Sequence, residues 1–215
     1  MAVVSQPSDA NCNTQMPGQL DPDLNEFWSG NPWEIFQKHN LSCFERNRVY
    51  LNTKGNSFID VSFLSGADSD GDARSVLPLD FDQDGQMDLL VRGAGGGALM
   101  LYQNRFPAHK YLKVSLWGKS ANKLAVGARL VAKLTDGQIV RERFPTNSHQ
   151  SQRPLVVHFG LGQKTHVEGL EIHWPDGEVQ KLGRIQAGQH ILVKQGTDRF
   201  EKVAPGKHGA LIGAP

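Results

Sequence analysis

The chain has 215 residues, 39% of them apolar, which is enough for one large or two small domains with a buried core. No apolar run approaches the length of a membrane span, which argues against a spanning helix. The net charge of +1 hides an asymmetry: residues 1–104 hold 6 Lys/Arg and 14 Asp/Glu, whereas residues 105–215 hold 17 and 8. An acidic half and a basic half are typical of two units that attract each other or meet different partners.

The N-terminal region begins as a polar arm. Residues 1–30 are rich in Gln, Asn, Pro, Asp and Ser, which predicts an extended segment. Met1–Ala10 lacks the basic start and apolar stretch of a secretory signal. The run Asn31-Pro32-Trp33-Glu34 then predicts a short helix to about His39, because it supplies a cap, a proline suited to the first turn and a capping-box glutamate.

Both cysteines, Cys12 and Cys43, lie in this N-terminal region without zinc-site spacing. In an oxidising compartment a disulfide between them would tie the arm to the start of the folded region. Two unrelated free thiols explain the same pattern equally well, so the sequence leaves both alternatives open.

From residue 47 to residue 103 the pattern predicts a small β-meander. Apolar and β-branched runs are bounded by turn residues, including a glycine run at Gly93–Gly97. The predicted strands are Asn47–Asn52, Ser57–Val61, Ser75–Leu79, Met87–Arg92 and Ala98–Gln103.

An acidic loop between the third and fourth of these strands predicts a calcium site. Carboxylates stand at loop positions 1, 3, 5 and 9, a glycine stands at position 6, and the position-7 carbonyl can supply a further oxygen. Carboxylates this close repel one another unless a cation neutralises them, although a solvated acidic turn is the alternative. The predicted ligands of Ca²⁺ are Asp80, Asp82, Asp84, Asp88 and the carbonyl of Gln86. The loop is not an EF-hand, since its twelfth position is Val91 and its flanks are strands.

A second acidic cluster precedes this loop. Asp68, Asp70 and Asp72 could donate a ligand to the same ion or hold a weaker one. The ninth position of this cluster is Val76, so a solvated turn is an equally good interpretation.

The second half predicts an antiparallel β-sandwich. Asp136-Gly137 and Asp176-Gly177 lie between paired apolar runs, which is a strong hairpin signal. The predicted strands are Tyr111–Trp117, Val126–Leu134, Gln138–Phe144, Leu155–Phe159, Val167–Trp174, Glu178–Leu182 and His190–Lys194. The sequence thus predicts an all-β protein with an arm at 1–30, a helix and calcium-loop meander at 31–104, a sandwich at 105–200 and a loose tail at 201–215.

One polar loop of the second half is a candidate ligand site. Its hydrogen-bonding side chains could hold a glycan or a peptide, and a plain connecting loop is the alternative. These side chains are Asn147, His149, Gln150, Gln152 and Arg153. The basic residues are scattered and the pI is about 7.8, so nucleic-acid binding is not expected. No GxSxG motif is present, and four crowded carboxylates suit a cation better than an acid–base pair.

Two regions resemble known families. The order NRVYLN, SFIDVS and DFDQDGQMDLLV resembles an FG-GAP/VCBS repeat, a calcium-loop blade of the β-propeller kind. The second half resembles the ASPIC/UnbV domain of cartilage acidic protein-like chains through Asn122, Ala125–Arg129, Ser151–Gln152, His158–Gly162 and His173–Gly177. The resemblance implies calcium at Asp80, Asp82, Asp84, Gln86 and Asp88. It also implies an extracellular, periplasmic or cell-surface location, and it implies no particular reaction.

These observations favour a non-enzymatic, calcium-binding module for recognition or assembly outside the cytoplasm. A single blade would expose two faces and two edges, so we expect it to pack on the sandwich, on a partner protein or on a second copy. A carbohydrate-binding or carbohydrate-active accessory unit is the rival hypothesis, and a subunit of a larger surface complex is the third.

Overall fold

The structure is a computed structural model that describes residues 46–204, with the exception of 54, 70, 72, 94–97, 120, 145, 149 and 150. The predicted arm, the helix predicted from Asn31, both cysteines and residues 205–215 lie outside the described residues. The regular structure of the described part is almost all β-strand, which confirms the predicted fold class. It contains no helix long and apolar enough to cross a membrane.

The strands predicted before residue 105 are all present, with ends that shift by a few residues. They are β1 Tyr50–Asn52, β2 Phe58–Asp60, β3 Ala73–Leu79, β4 Asp88–Gly93 and β5 Leu99–Tyr102. A single helical turn, α1, spans Ser62–Ser65 between β2 and β3 and was not predicted. β1 and β2 form a hairpin of their own. After α1 and the loop that follows it, the other three strands form a separate sheet in the order β3-β4-β5.

The strands predicted after residue 105 are also present, together with short ones that the sequence did not indicate. They are β6 Lys110–Trp117, β7 Arg129–Leu134, β8 Gly137–Glu142, β9 Thr146–Ser148, β10 Ser151–Gln152, β11 Val157–Gly162, β12 His166–Val167, β13 Gly169–His173, β14 Val179–Leu182, β15 Ile185–Gln186, β16 Gln189–Lys194 and β17 Phe200–Lys202. The two Asp-Gly pairs form the predicted hairpins β7–β8 and β13–β14.

Contacts divide the described residues into two units. The first takes the residues up to Val76 and Leu90–Tyr102, and the second takes Leu77–Leu89 and the residues from Gln103 onward. The acidic loop therefore belongs to the same unit as the sandwich strands.

The first unit is held by short polar contacts more than by a core. Asp60 Oδ1 accepts a hydrogen bond from the N–H of Ser62 at 2.9 Å, and Arg48 Nη1 lies 3.1 Å from Asp60 Oδ2. These contacts give Asp60 a structural role in linking β2 to the segments before β1 and after β2. Large apolar side chains of this unit are exposed, among them Phe63 at 86%.

The second unit is a sandwich-like pair of four-stranded sheets. One sheet has the order β11-β6-β16-β17 and the other β14-β13-β7-β8. The pairing is antiparallel as predicted, except that β6 and β16 pair in parallel. Alternate residues of both sheets point inward, as period-2 burial requires. The central buried side chains are Leu112, Val114, Leu130, Phe159, Leu170, Ile172, Ile191 and Val193.

Candidate metal centre

The acidic loop, residues 80–87, connects β3 to β4 and is shaped by its own carboxylates. Asp82 Oδ1 accepts a hydrogen bond from the N–H of Asp84 at 3.2 Å, and Asp84 Oδ1 accepts one from the N–H of Gln86 at 2.7 Å. Asp80 Oδ2 accepts one from the N–H of Gly85 at 3.1 Å. These side-chain to main-chain bonds are typical of aspartate-rich turns, and they fold the loop back on itself.

Asp88, the ninth position of the loop and the first residue of β4, is buried at 1% exposure. Its Oδ2 accepts a hydrogen bond from the N–H of Phe81 at 2.9 Å, and its Oδ1 accepts one from the N–H of Asn104 at 2.7 Å. Asp88 therefore joins the start of the loop to the segment that follows β5.

The loop brings three carboxylates together. One oxygen from each of Asp80, Asp82 and Asp88 lies within 4.8 Å of the other two, an arrangement that could hold a metal ion. The carboxylate of Asp84 is outside this group, because its oxygens accept hydrogen bonds from the main-chain and side-chain nitrogens of Gln86. The participation of Asp84 and of the Gln86 carbonyl thus remains a prediction.

One carboxylate oxygen of this group fits a cation. Asp80 Oδ1 is fully buried and has no hydrogen-bond partner among the described residues. Buried carboxylate oxygens are normally paired, so an oxygen of this kind needs a ligand. Since the group offers oxygens alone, it matches the preference of a hard divalent cation such as Ca²⁺.

Strand β6 places an ammonium group against the same carboxylate. Lys113 Nζ lies 2.5 Å from Asp80 Oδ2, and the two side chains are only 9% and 7% exposed. Lys113 Nζ also lies 5.3 Å from the centre of the Tyr111 ring. Lys113 neutralises one of the four loop carboxylates, which leaves an excess of negative charge that a divalent cation would reduce.

Strand β11 holds the turn of the loop from a neighbouring position. His158 pairs with Lys113 in the β6–β11 ladder, and its Nε2 donates a hydrogen bond to the carbonyl of Gly85 at 2.8 Å. The rings of His158 and Tyr111 stack with centres 6.0 Å apart. Sequence reasoning missed all three supporting residues. The one available signal was Lys113 itself, a charged residue within an apolar strand.

Burial sets the charge state of His158. Desolvation lowers the pKa of this imidazole below its ordinary value of 6.5, and the nearby Lys113 and Arg141 lower it further. The hydrogen bond to Gly85 and the charge of Asp80 act in the opposite direction. The neutral imidazole is therefore the form that holds the loop at neutral pH.

This pKa shift predicts a pH-dependent stability. In the unfolded chain His158 takes up a proton below about pH 6.5, whereas in the folded chain it binds that proton only at a lower pH. The free energy of unfolding should therefore fall from about pH 6.5 to the folded pKa of His158, by at most ~1.4 kcal/mol per pH unit, and then level off. His158→Gln keeps an N–H donor for Gly85 and should remove this component in denaturant titrations. Identical pH profiles for the variant and the parent would contradict the assignment.

The other predicted site residues are dispersed or outside the description. Asp68 forms an ion pair with Arg46 at 2.9 Å, while Asp70 and Asp72 lie outside the described residues. The second metal cluster therefore stays a prediction.

The predicted ligand loop is described only in part. Asn147 lies in β9, Gln152 pairs with Thr146 in the β9–β10 ladder, and Arg153 Nη2 donates to the carbonyl of Glu142 at 3.3 Å. His149 and Gln150 lie outside the described residues. A glycan or peptide site in this loop also remains a prediction.

Two carboxylates outside the acidic loop share one amide group. Gln195 Nε2 donates to Asp176 Oδ2 at 2.7 Å and to Glu178 Oε2 at 3.1 Å. Hydrogen bonds from Gln195 lower the pKa of Asp176, and those from Lys119 and Gln195 lower the pKa of Glu178. Both groups are ionised at neutral pH, whereas an acid–base pair requires one carboxyl with a raised pKa.

Comparison with known protein families gives a match to part of the second unit. The family model described as ASPIC and UnbV matches residues 118–199, somewhat more than a third of the chain. The matched range contains β7 to β16 and includes His158, and it supports the ASPIC/UnbV part of the resemblance. It does not extend to residues 47–103, so the FG-GAP/VCBS repeat stays a prediction. The comparison with curated proteins gives no match.

Proposed function

We propose that this chain is a calcium-binding, non-catalytic module that serves recognition or assembly outside the cytoplasm, with the ion in a structural role. The observation that carries the proposal is the group formed by Asp80, Asp82 and Asp88, in which Asp80 Oδ1 is buried without a partner. A cation bound there would satisfy that oxygen and offset the repulsion among the carboxylates.

The ligand chemistry favours calcium over other common metals. The grouped atoms are carboxylate oxygens, whereas zinc and copper sites draw on histidine or cysteine. The grouped carboxylates lie on an irregular loop, residues 80–87, and on the first residue of β4. Irregular oxygen cages suit Ca²⁺, while Mg²⁺ demands near-ideal octahedral geometry and keeps several waters.

The position of the group supports a structural role for the ion. Asp80 follows β3 and Asp88 begins β4, so an ion bound to both would fasten the two ends of the loop. Asp88 is buried and engaged by two main-chain N–H groups, which suits an anchor better than a group that must meet a substrate.

The proposed location rests on the family match and on the expected affinity. A loop of this kind needs only a Kd of roughly 10⁻⁴–10⁻³ M to be filled outside the cell, the range found for extracellular calcium modules. An assembly role draws support from the first unit, where Phe58, Phe63 and Leu64 are 67%, 86% and 85% exposed. Exposed apolar side chains mark an interaction surface when they form a contiguous patch, and Phe63 and Leu64 are neighbours in α1.

Calcium should raise the thermal stability of the chain. At a tenfold excess over the Kd, which millimolar Ca²⁺ provides for a Kd of about 10⁻⁴ M, binding to the folded state alone stabilises by about 1.4 kcal/mol, which corresponds to a rise in Tm of about 3–6 °C. The measurement is calorimetry in EDTA, in millimolar Ca²⁺ and in millimolar Mg²⁺. Equal Tm values in EDTA and in Ca²⁺ would refute a structural ion.

Variants locate the effect. Asp82→Asn removes one charged ligand and should abolish most of the calcium-dependent rise, whereas Asp198→Asn, a carboxylate outside the loop, should preserve it. Asp84→Asn tests the ligand set: a preserved rise indicates that the three grouped carboxylates suffice, and a lost rise indicates that Asp84 also binds. A rise that survives Asp82→Asn would place the ion elsewhere.

A further inference from the structure

Arg143, which directly follows β8, is a buried cation in the second unit. The residue is 4% exposed. Two of its guanidinium nitrogens, Nε and Nη1, are fully buried and have no hydrogen-bond partner among the described residues. A guanidinium carries five N–H donors and is seldom buried without an acceptor.

The strand register explains why this arginine points inward. Every second residue from Ile139 to Arg143 lies on the same face of the sheet. Their partners on β7 and on the residue before it are Ala132, Leu130 and Ala128, which lie on that face too. All three of these partners belong to the buried core, so the guanidinium of Arg143 shares their side of the sheet.

The backbone around Arg143 is held from both sides. Its N–H donates to the carbonyl of Ala128 at 2.9 Å, and its carbonyl accepts from the N–H of Gly127 at 2.9 Å. The Asn122 side chain stabilises the turn before β7, because it donates a hydrogen bond to the carbonyl of Val126 and accepts one from its N–H.

Small residues and backbone strain mark the same turn. Ala125 is 1% exposed and adopts a φ of +49°, a left-handed conformation that is costly for a residue other than glycine. Strain of this kind persists where the surrounding structure enforces it, and it is found disproportionately at functional sites.

Burying an unpaired charge costs free energy, and the lowered pKa of Arg143 reflects that cost. Burial alone lowers its pKa to about 10, with no contribution from a neighbouring carboxylate. A partner anion would recover the lost hydrogen bonds and charge pairing.

We propose that Arg143 anchors an anion-binding site in the sandwich, which takes the oxyanion group of a ligand: a carboxylate, a sulfate or a phosphate. Inward-pointing charge on an edge strand can also serve only to prevent edge pairing, but that role needs no anion and predicts no anion dependence.

The test is a set of melts of the full chain in EDTA, with acetate, sulfate or inorganic phosphate added against sodium chloride of matched ionic strength. Because an anion that binds only the folded state stabilises it, the preferred anion should raise the Tm by about 3 °C or more at a tenfold excess over its Kd. A response to acetate alone identifies a carboxylate ligand, and a response to sulfate or phosphate identifies a tetrahedral oxyanion. A Tm that follows ionic strength alone overturns the proposal.

Two variants and one NMR resonance of Arg143 test whether the anion acts at this residue. Arg143→Met should abolish the anion-specific rise, while Arg129→Met, an exposed arginine on the opposite face of the same ladder, should retain it. If Arg143→Met does not fold, the Nε–H resonance of Arg143 in the parent protein gives the answer. A saturable shift of that resonance with the active anion supports the site, and an unchanged resonance overturns it.

Discussion

Replacing Lys113 with methionine should lower the free energy of unfolding by about 3–5 kcal/mol in EDTA, because removing one partner of a buried ion pair strands the other charge. The stranded group would be Asp80, whose second oxygen already lacks a partner among the described residues. Methionine preserves most of the apolar stem, so the loss should come from charge rather than from packing. Urea denaturation in EDTA measures it.

The control is an exposed ion pair of the same chemistry. Lys194 Nζ lies 2.7 Å from Glu201 Oε1, but these side chains are 47% and 60% exposed. Lys194→Met should cost less than about 1 kcal/mol, because solvent screens a surface pair. Equal costs for the two variants would contradict the buried role of Lys113.

Calcium provides a second test of the Lys113→Met variant. If an ion binds Asp80, it should restore part of the stability that Lys113→Met removes, since the ion supplies the missing positive charge. Adding Asp80→Asn to Lys113→Met should also recover stability in EDTA, because the neutral amide leaves no stranded charge. A double variant as unstable as the sum of the singles would show that the two groups do not interact.

Gly85→Ala should destabilise the chain by about 2–5 kcal/mol, which combines left-handed backbone strain with overpacking. Gly85 has a φ of +90°, and a Cβ built on it would overlap the Tyr111 ring. The loop can approach β6 at this point because glycine has no side chain. Thermal or urea denaturation measures the loss, and the calcium response should weaken with it.

Gly177→Ala separates the two contributions. Gly177 has a φ of +91°, yet nothing lies within 4 Å of a Cβ at that position. It should therefore show the backbone strain alone, about 1–2 kcal/mol. Adding Tyr111→Ala to Gly85→Ala should recover the packing component. Equal losses at the two glycines would mean that the close approach to Tyr111 is unimportant.

Local patterns predicted the strands and the hairpins of this protein. Apolar and β-branched runs bounded by turn residues can be recognised from a few consecutive residues, so runs such as Tyr111–Trp117 and His190–Lys194 were identified nearly in full. The Asp-Gly turns have their own backbone preference and placed two hairpins correctly. The short ladders β9–β10 and β12–β15 were missed, because two or three residues carry too little periodicity to stand out.

Strand order was beyond local patterns. The parallel pairing of β6 with β16 joins residues such as Val114 and Ile191, which are far apart in the chain. Alternating side chains look the same in either pairing direction, so the sequence favoured a wholly antiparallel sandwich. Packing of the inward side chains from both sheets decides which strands become neighbours.

The sequence by itself determined the acidic loop, because the spacing of aspartates around a glycine is a local property that sets the turn. Only the tertiary structure decided which carboxylates converge, and it chose Asp80, Asp82 and Asp88. It alone also brought Lys113 and His158 to the loop and buried Arg143 with no hydrogen-bond partner among the described residues for its Nε and Nη1. These features depend on contacts between distant segments, which arise only when the sheets pack.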